Sequence, residues 1–179
     1  MMSELRYKVN IPNGVSGNYK VVDGKFDGDH TVLYQYINGA WMNIMEDTEE
    51  EADQASAFLS TATGDVLLAG LGLAMVLKPL VKNPKVSSIT VIEKYQEVID
   101  LVSPHTPSSN KIKIINDDIY TWTPDKKYDV AWFDSYIYPM DGEDPLGTYL
   151  VDMTHKYKSF VGTAYFWPGG SKLTGHLGW

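Results

Sequence analysis

The sequence contains no cysteine. Disulfide cross-links and thiolate metal sites are therefore excluded, and packing alone must hold the 179 residues together. That is feasible at this length, since a domain of about 150 residues buries roughly 70% of the surface its unfolded chain exposes. Cationic side chains are scarce, with 15 Lys and Arg against 23 Asp and Glu, for a formal charge of -8. Such a surface is poorly suited to neutralising phosphates, so nucleic acid is not expected as a partner. Long hydrophobic runs are missing too. The most apolar stretch, Val66 to Leu77, is interrupted by Gly70 and Gly72 and followed by Lys78-Pro79, far short of the ~20 apolar residues that span a bilayer. The N-terminal MMSELRYKVN has no basic stretch leading into an apolar run, so no secretory signal is read there. These absences lead us to expect a soluble, cytoplasmic protein without a membrane partner.

Aromatic side chains are plentiful, 12 Tyr and 5 Trp among them. That much apolar area must be buried to offset the entropy of ordering, which argues for a folded chain. Residues 1–46 form the first unit of the expected organisation. There Thr31 to Ile37 and Ala40 to Met45, both rich in aromatic or branched residues, flank Asn38-Gly39, the pair that best tolerates the positive φ of a type I′ hairpin turn. A small antiparallel β-hairpin unit is predicted. The second unit, 47–179, opens with Thr48 and Glu51 at capping-box spacing, which starts a helix expected to run to Leu59 and to stop before Gly64. The acidic run Glu49 to Glu51 suits the positive end of that helix dipole and reads as a solvated face.

From Asp65 onward short apolar strands alternate with helical stretches. Strands are expected at Val66 to Ala69, Ser88 to Ile92, Ile112 to Ile115, Tyr128 to Phe133 and Ser159 to Phe166, with helices near 73–82, 95–102 and 146–157. That alternation indicates βαβ units and hence a doubly wound, mostly parallel α/β sheet of Rossmann-like type. Pro79 falls inside the first of these helices, where a kink is expected.

Within this pattern, Val66-Leu-Leu-Ala-Gly70-Leu-Gly72-Leu-Ala74-Met75 is a strand running into a Gly-X-Gly turn and then a helix. Glycines there let the chain turn sharply and let a ligand approach the main chain. Glu93 closes the second core strand, 21 residues after Gly72, where an acidic side chain can accept both ribose hydroxyls of a nucleoside. The dinucleotide fingerprint wants Gly or Ala at its sixth position, and Met75 stands there, so NAD and FAD are disfavoured. Ala74 instead supplies the third small position of a Gly-X-Gly-X-Gly pattern.

Taken together, Gly64 to Met75, Val91-Ile-Glu93-Lys94, Ile115-Asn-Asp-Asp118 and Tyr128 to Ser135 resemble the spermidine synthase-like branch of the class I S-adenosylmethionine-dependent methyltransferase superfamily over residues 40–136. Met45-Glu-Asp-Thr-Glu49 is similar to the segment that precedes the core in that branch. The resemblance implies S-adenosylmethionine, or its decarboxylated form, as cofactor. Gly70 and Gly72 would line the methionine moiety, Glu93 would hold the ribose, and Asp118 with the Ile119 main chain would read the adenine edge. Asp134 would face the reacting centre as the catalytic residue, taking a proton from a small-molecule acceptor or positioning it; its plain alternative is to cap the following loop. The aminopropyltransferase segments Asp-Ser/Thr-X-Asp-Pro and Tyr-His-Glu are not matched, since Asp134-Ser135 runs into Tyr-Ile-Tyr-Pro139 and Asp144-Pro145 comes ten residues after Asp134. Methyl transfer is thus the expected activity, with aminopropyl transfer and a non-catalytic nucleoside-binding module as alternatives.

Elsewhere, His30, His105, His155 and His176 show no metal-ligand spacing, and Ser135 lacks a Gly-X-Ser-X-Gly elbow, so no zinc site and no serine hydrolase are expected. Only twelve residues follow Trp167, too few for the closing antiparallel hairpin of a full methyltransferase. The core is therefore expected to be C-terminally shortened, with an uncovered sheet edge that favours a homo-oligomer. Trp41, Trp167 and Trp179 are expected in core or interface packing.

Overall fold

A computed structural model of the chain describes residues 7–24, 30–135, 145–167 and 171–173. The N-terminal part forms an antiparallel sheet of β1 (Gly14–Ser16), β2 (Tyr19–Val22), β3 (Val32–Ile37) and β4 (Ala40–Glu46), in that spatial order. The β3–β4 turn is the one read from Asn38-Gly39: Ile37 pairs with Ala40, and the two turn residues have φ of 51° and 85°. Further along this pair Leu33 faces Met45 while Tyr34 faces Asn43, leaving Ile44 as an extra residue. A bulge of this kind re-aims side chains, and here both Ile44 and Met45 reach one cavity wall. Just beyond β4, the buried Asp47 carboxylate accepts the Thr31 N–H at 2.7 Å and the Val9 N–H at 3.0 Å, fixing the end of the strand to the preceding chain.

The second sheet has the order β10-β9-β8-β5-β6-β7. Its strands β5 (Gly64–Ala69), β6 (Val86–Glu93), β7 (Ile112–Asn116), β8 (Tyr128–Phe133) and β9 (Val161–Phe166) are parallel. Their residues alternate between two cores. Val66, Leu68, Ile89, Val91, Val130 and Trp132 share one cluster, Leu67, Ala69, Ile92, Ala131 and Phe133 the other. With both faces buried, a period of two leaves no polar alternation to see in the sequence. Each large buried apolar side chain contributes about 1.5–3 kcal/mol to holding this arrangement.

Among the described residues the sheet is flanked by the helices α1 (Glu49–Gln54), α2 (Ser56–Thr61), α3 (Leu77–Lys82), α4 (Gln96–Val102) and α5 (Pro145–Tyr157). Phe58, Leu77, Leu80, Val98 and Val102 from α2, α3 and α4 pack on the first face, and Tyr149, Met153 and Tyr157 of α5 on the second. The doubly wound, methyltransferase-like core expected from the sequence is thus present. The small sheet rests on the first face through Tyr19, Val21 and Leu33, with the Tyr19 and Tyr95 rings 5.0 Å apart. No helix among the described residues is long and apolar enough to cross a membrane.

Several local expectations need correction. The residues after β9 do form an antiparallel return, because three residues suffice for a short ladder: β10 (Ser171–Leu173) pairs with Phe166 to Ala164. Thr48 accepts the Glu51 N–H at 3.2 Å as its spacing predicts, yet the helix breaks at Ala55, where the Ser56 hydroxyl donates to the Asp53 carbonyl at 2.7 Å. Side-chain competition of this kind is how serine interrupts helices. Gly64 does not stop that helix, which ends at Thr61; it opens β5 at a φ of +62°. The helix expected from residue 73 begins only at Leu77, so Pro79 sits in its first turn, where its missing N–H leaves no gap and no kink is required. Trp41 is 36% exposed on β4, tilted against Tyr36 and under Lys20, and does not cover the larger sheet. Trp167 is half-buried against the first core. His176, Trp179 and the segment 136–144 lie outside the described residues.

Candidate active site

Strand β5 has β6 on one side and β8 on the other, and the chain visits β6 and β7 before crossing to β8. This is the topological switch point at which open α/β sheets bind ligands, outside the carboxyl ends of their strands. Gly70 follows β5 there and Asp134 follows β8, with the Asp134 N–H donating to the Ala69 carbonyl at 2.8 Å and the Gly70 N–H to Ile92 at 2.9 Å. A cavity of about 330 Å³ opens over them. The strand order arranges the four acidic or glycine positions along its floor as Asp134, Gly70, Glu93, Asp118, and all four line it, as do Gly72 and Ile119. The structure therefore brings together every site residue singled out from the sequence.

The turn after β5 is wound more tightly than a simple Gly-X-Gly. Gly70, Gly72 and Ala74 all have positive φ, 102°, 50° and 58°. For Ala74 that left-handed conformation costs about 1 kcal/mol. A β-carbon on Gly70 would run into the Asp134 carbonyl, and one on Gly72 would meet the Met45 sulfur at 2.5 Å. Both glycines are thus accounted for by contacts within the chain. The Met45 sulfur also accepts the Leu73 N–H at 3.1 Å.

Glu93 is 6% exposed. One of its oxygens accepts the Leu71 N–H at 2.8 Å and the other the Tyr95 N–H at 2.9 Å, so the carboxylate ties the glycine turn to the start of α4. Burial pushes its pKa up, opposed by the main-chain N–H groups of Leu71, Tyr95, Lys94 and Gly72. The carboxylate so held lines the cavity.

Asp118 is held more openly. Its carboxylate accepts the Tyr120 N–H at 2.9 Å and pairs with Lys94 at 2.9 Å. Burial raises its pKa, but the Tyr120 N–H and the Lys94 ammonium outweigh it and hold the carboxyl below its ordinary value. Ile119 is buried, and its carbonyl accepts the Tyr157 hydroxyl at 2.5 Å, which pins this loop to α5.

Asp134 differs from both. Among the described residues the Trp132 side chain hydrogen-bonds its carboxylate, while Glu51 and Glu93 add negative charge nearby. Desolvation, then the Glu51 charge, push its pKa up to about 8, and the Glu93 charge adds to them. It keeps some accessible surface, and it borders both the main cavity and a second cavity of about 30 Å³, so it is desolvated without being sealed. A proton acceptor with a pKa near the working pH is what general-base chemistry needs.

Sequence reasoning missed several neighbours. Met45 and Glu51 line the second cavity with Asp134. Ser135 and Tyr149 share a hydrogen bond of 2.8 Å at the cavity wall, and burial raises the Tyr149 pKa. Tyr19 reaches the same cavity from the small sheet. Lys94 and Ser135 were visible as the residues after Glu93 and Asp134; the others carry no local signal, since they are delivered by a bulge, a separate helix or a separate sheet.

No family model matches the chain, and no curated protein matches it. Solved structures do. The N-methyltransferase NodS from Bradyrhizobium japonicum WM9 matches at 19% identity and a TM-score of 0.51, over 66% of this chain and 66% of that one. A DhpI complex with SAM and HEP matches at 21% identity and a TM-score of 0.47, over 64% of this chain and 52% of that one. The plantazolicin methyltransferase BpumL in complex with SAH matches at 16% identity and a TM-score of 0.45, over 65% and 44%. The chain thus spans about half the length of the first structures it matches. At these identities the likeness to NodS establishes the fold, a class I methyltransferase-like sheet with flanking helices.

Proposed function

We propose that the chain is an S-adenosylmethionine-dependent methyltransferase acting on a small-molecule acceptor. The observation that carries this reading is the single cavity at the switch point, which joins the glycine turn, Glu93, Asp118 and Asp134 on successive strand ends. The donor and acceptor set fits an adenosyl group. Glu93 brings a carboxylate to the cavity wall for ribose hydroxyls, and the Asp118–Ile119 segment, held by Lys94 and Tyr157, offers a fixed edge for the adenine. The bound cofactor supplies an electrophilic methyl on a cationic sulfur. Asp134 then has two tasks, to align the acceptor and to take its proton.

A second reading, aminopropyl transfer from decarboxylated S-adenosylmethionine as in the spermidine synthase-like branch, is favoured by one observation. Around the glycine turn the cavity carries Asp134 and no cation among the described residues; its one lining lysine, Lys94, is paired to Asp118. A tail lacking its carboxylate suits such a wall. The small antiparallel unit and the larger core are proposed as the two parts of the chain. A cytoplasmic location and assembly through exposed sheet edges remain part of the same proposal.

Calorimetric titration with S-adenosylmethionine, S-adenosylhomocysteine and the decarboxylated form tests the cofactor. A cationic ligand beside Asp134 favours its carboxylate, so S-adenosylmethionine should gain affinity over the neutral S-adenosylhomocysteine as pH rises from about 6 to 8. Asp134→Asn should abolish that gain, and should lower labelled-methyl transfer to a panel of small acceptors by roughly 10²–10⁴-fold. No binding of any adenosyl ligand at millimolar concentration would sink the reading.

A further inference from the structure

Met45 occupies an unusual place. It belongs to the small sheet, yet the bulge opposite Leu33 and Tyr34 sends its side chain onto the glycine turn of the large one. Its sulfur lies directly over Gly72, in the space a side chain there would fill, and it accepts the Leu73 main-chain N–H at 3.1 Å. It also borders both cavities, so that it forms part of the wall between them. Sulfur is a weak acceptor, and an N–H given to it is readily exchanged for an oxygen acceptor.

We propose that Met45 is the specificity-determining residue of the glycine-turn end of the cavity, a side-chain plug that any ligand tail must displace. The inference rests on the adenosyl-binding reading above. A ligand that ends at the ribose needs Glu93 and the Asp118–Ile119 edge and leaves Met45 where it is. A ligand with an amino-acid tail must take the Leu73 N–H and the volume over Gly72, and Met45 must swing aside. Met45 also lines the smaller cavity, whose space on the order of one or two waters is room for a displaced thioether. Met45 thus penalises tailed ligands and leaves untailed ones untouched. The same step transmits tail binding to the wall that carries Glu51 and Asp134.

The test compares S-adenosylhomocysteine with 5′-methylthioadenosine, which has the same nucleoside and no amino-acid tail, by calorimetric titration of the full chain. Met45→Ala removes both the bulk and the acceptor, and should tighten S-adenosylhomocysteine about 5–10-fold while leaving 5′-methylthioadenosine within about twofold. Met45→Leu keeps the bulk and loses only the weak acceptor, so it should tighten S-adenosylhomocysteine about twofold. It also keeps the proposal testable should the alanine variant fold poorly. Equal shifts for both ligands, or weaker S-adenosylhomocysteine binding in both variants, would overturn the plug while leaving the adenosyl site standing. Absence of binding by either ligand to wild type and variants alike would overturn the site and the plug together.

Discussion

Glu93 ends β6 and Asp134 directly follows β8, the two strands that flank β5, and both carboxylates are withdrawn from bulk water, yet they are held in opposite ways. Glu93 receives main-chain N–H groups from the glycine turn and from the start of α4. Asp134 has the Trp132 side chain and faces the negative charges of Glu51 and Glu93. Burial pushes both upward, but main-chain donors counter it at Glu93, while like charges reinforce it at Asp134. The same residue chemistry at equivalent strand ends thus yields a latch on one side of β5 and, on the other, a carboxyl that keeps its proton to higher pH. What sets them apart is not depth but the supply of oriented N–H groups.

The sharpest way to break this comparison is Glu93→Ala. It strands the Leu71 and Tyr95 N–H groups, each an unsatisfied donor costing about 1–3 kcal/mol. We expect a loss of about 3 kcal/mol in urea unfolding at pH 7. A loss below about 1 kcal/mol would mean that water replaces the carboxylate and that Glu93 is no latch.

Asp134→Asn should act with the opposite sign, and only at one end of the pH scale. Because the folded pKa is raised, to about 8, the folded state binds a proton that the unfolded chain has already released. Stability from this group is complete below the ordinary carboxyl value near 4 and is lost as pH rises through about 8. The asparagine carries no titrating proton. Relative to wild type, the variant should therefore gain stability on going from pH 6 to pH 8, by about 2 kcal/mol in urea unfolding. Parallel pH profiles for the two proteins would show that the Asp134 carboxyl titrates normally.

How much of this was legible in the sequence follows from the same contrast. The glycine turn, Glu93, Asp118 and Asp134 sit immediately after short apolar runs, so strand ends betray them, and all converge on one cavity. The hairpin was legible because Asn38-Gly39 has a local conformational reason to turn. Pro79 was misread because the start of its helix depends on the left-handed Ala74, which nothing in the sequence requires. Met45 and Glu51 were invisible as cavity residues because they arrive from a bulge and from a helix that packs back over the turn, and long-range placement leaves no mark on local pattern. The environment of Asp134, as opposed to its position, was hidden for the same reason.

The two glycines of the turn offer a smaller test of the same division, since one abuts the Asp134 side and the other the Met45 plug. An alanine at either position adopts positive φ at a cost of about 1–2 kcal/mol. At Gly70 the added carbon meets the Asp134 carbonyl, which is main chain and cannot yield; at Gly72 it meets the end of a flexible thioether. In a double-mutant cycle, Met45→Ala should therefore recover about 0.5–1 kcal/mol of the cost of Gly72→Ala and none of the cost of Gly70→Ala. Urea unfolding of the singles and doubles reads this directly. Equal coupling of Met45 to both glycines would mean that the turn moves as one rigid piece, and that the tail end of the cavity is not set by Met45 and Gly72 alone.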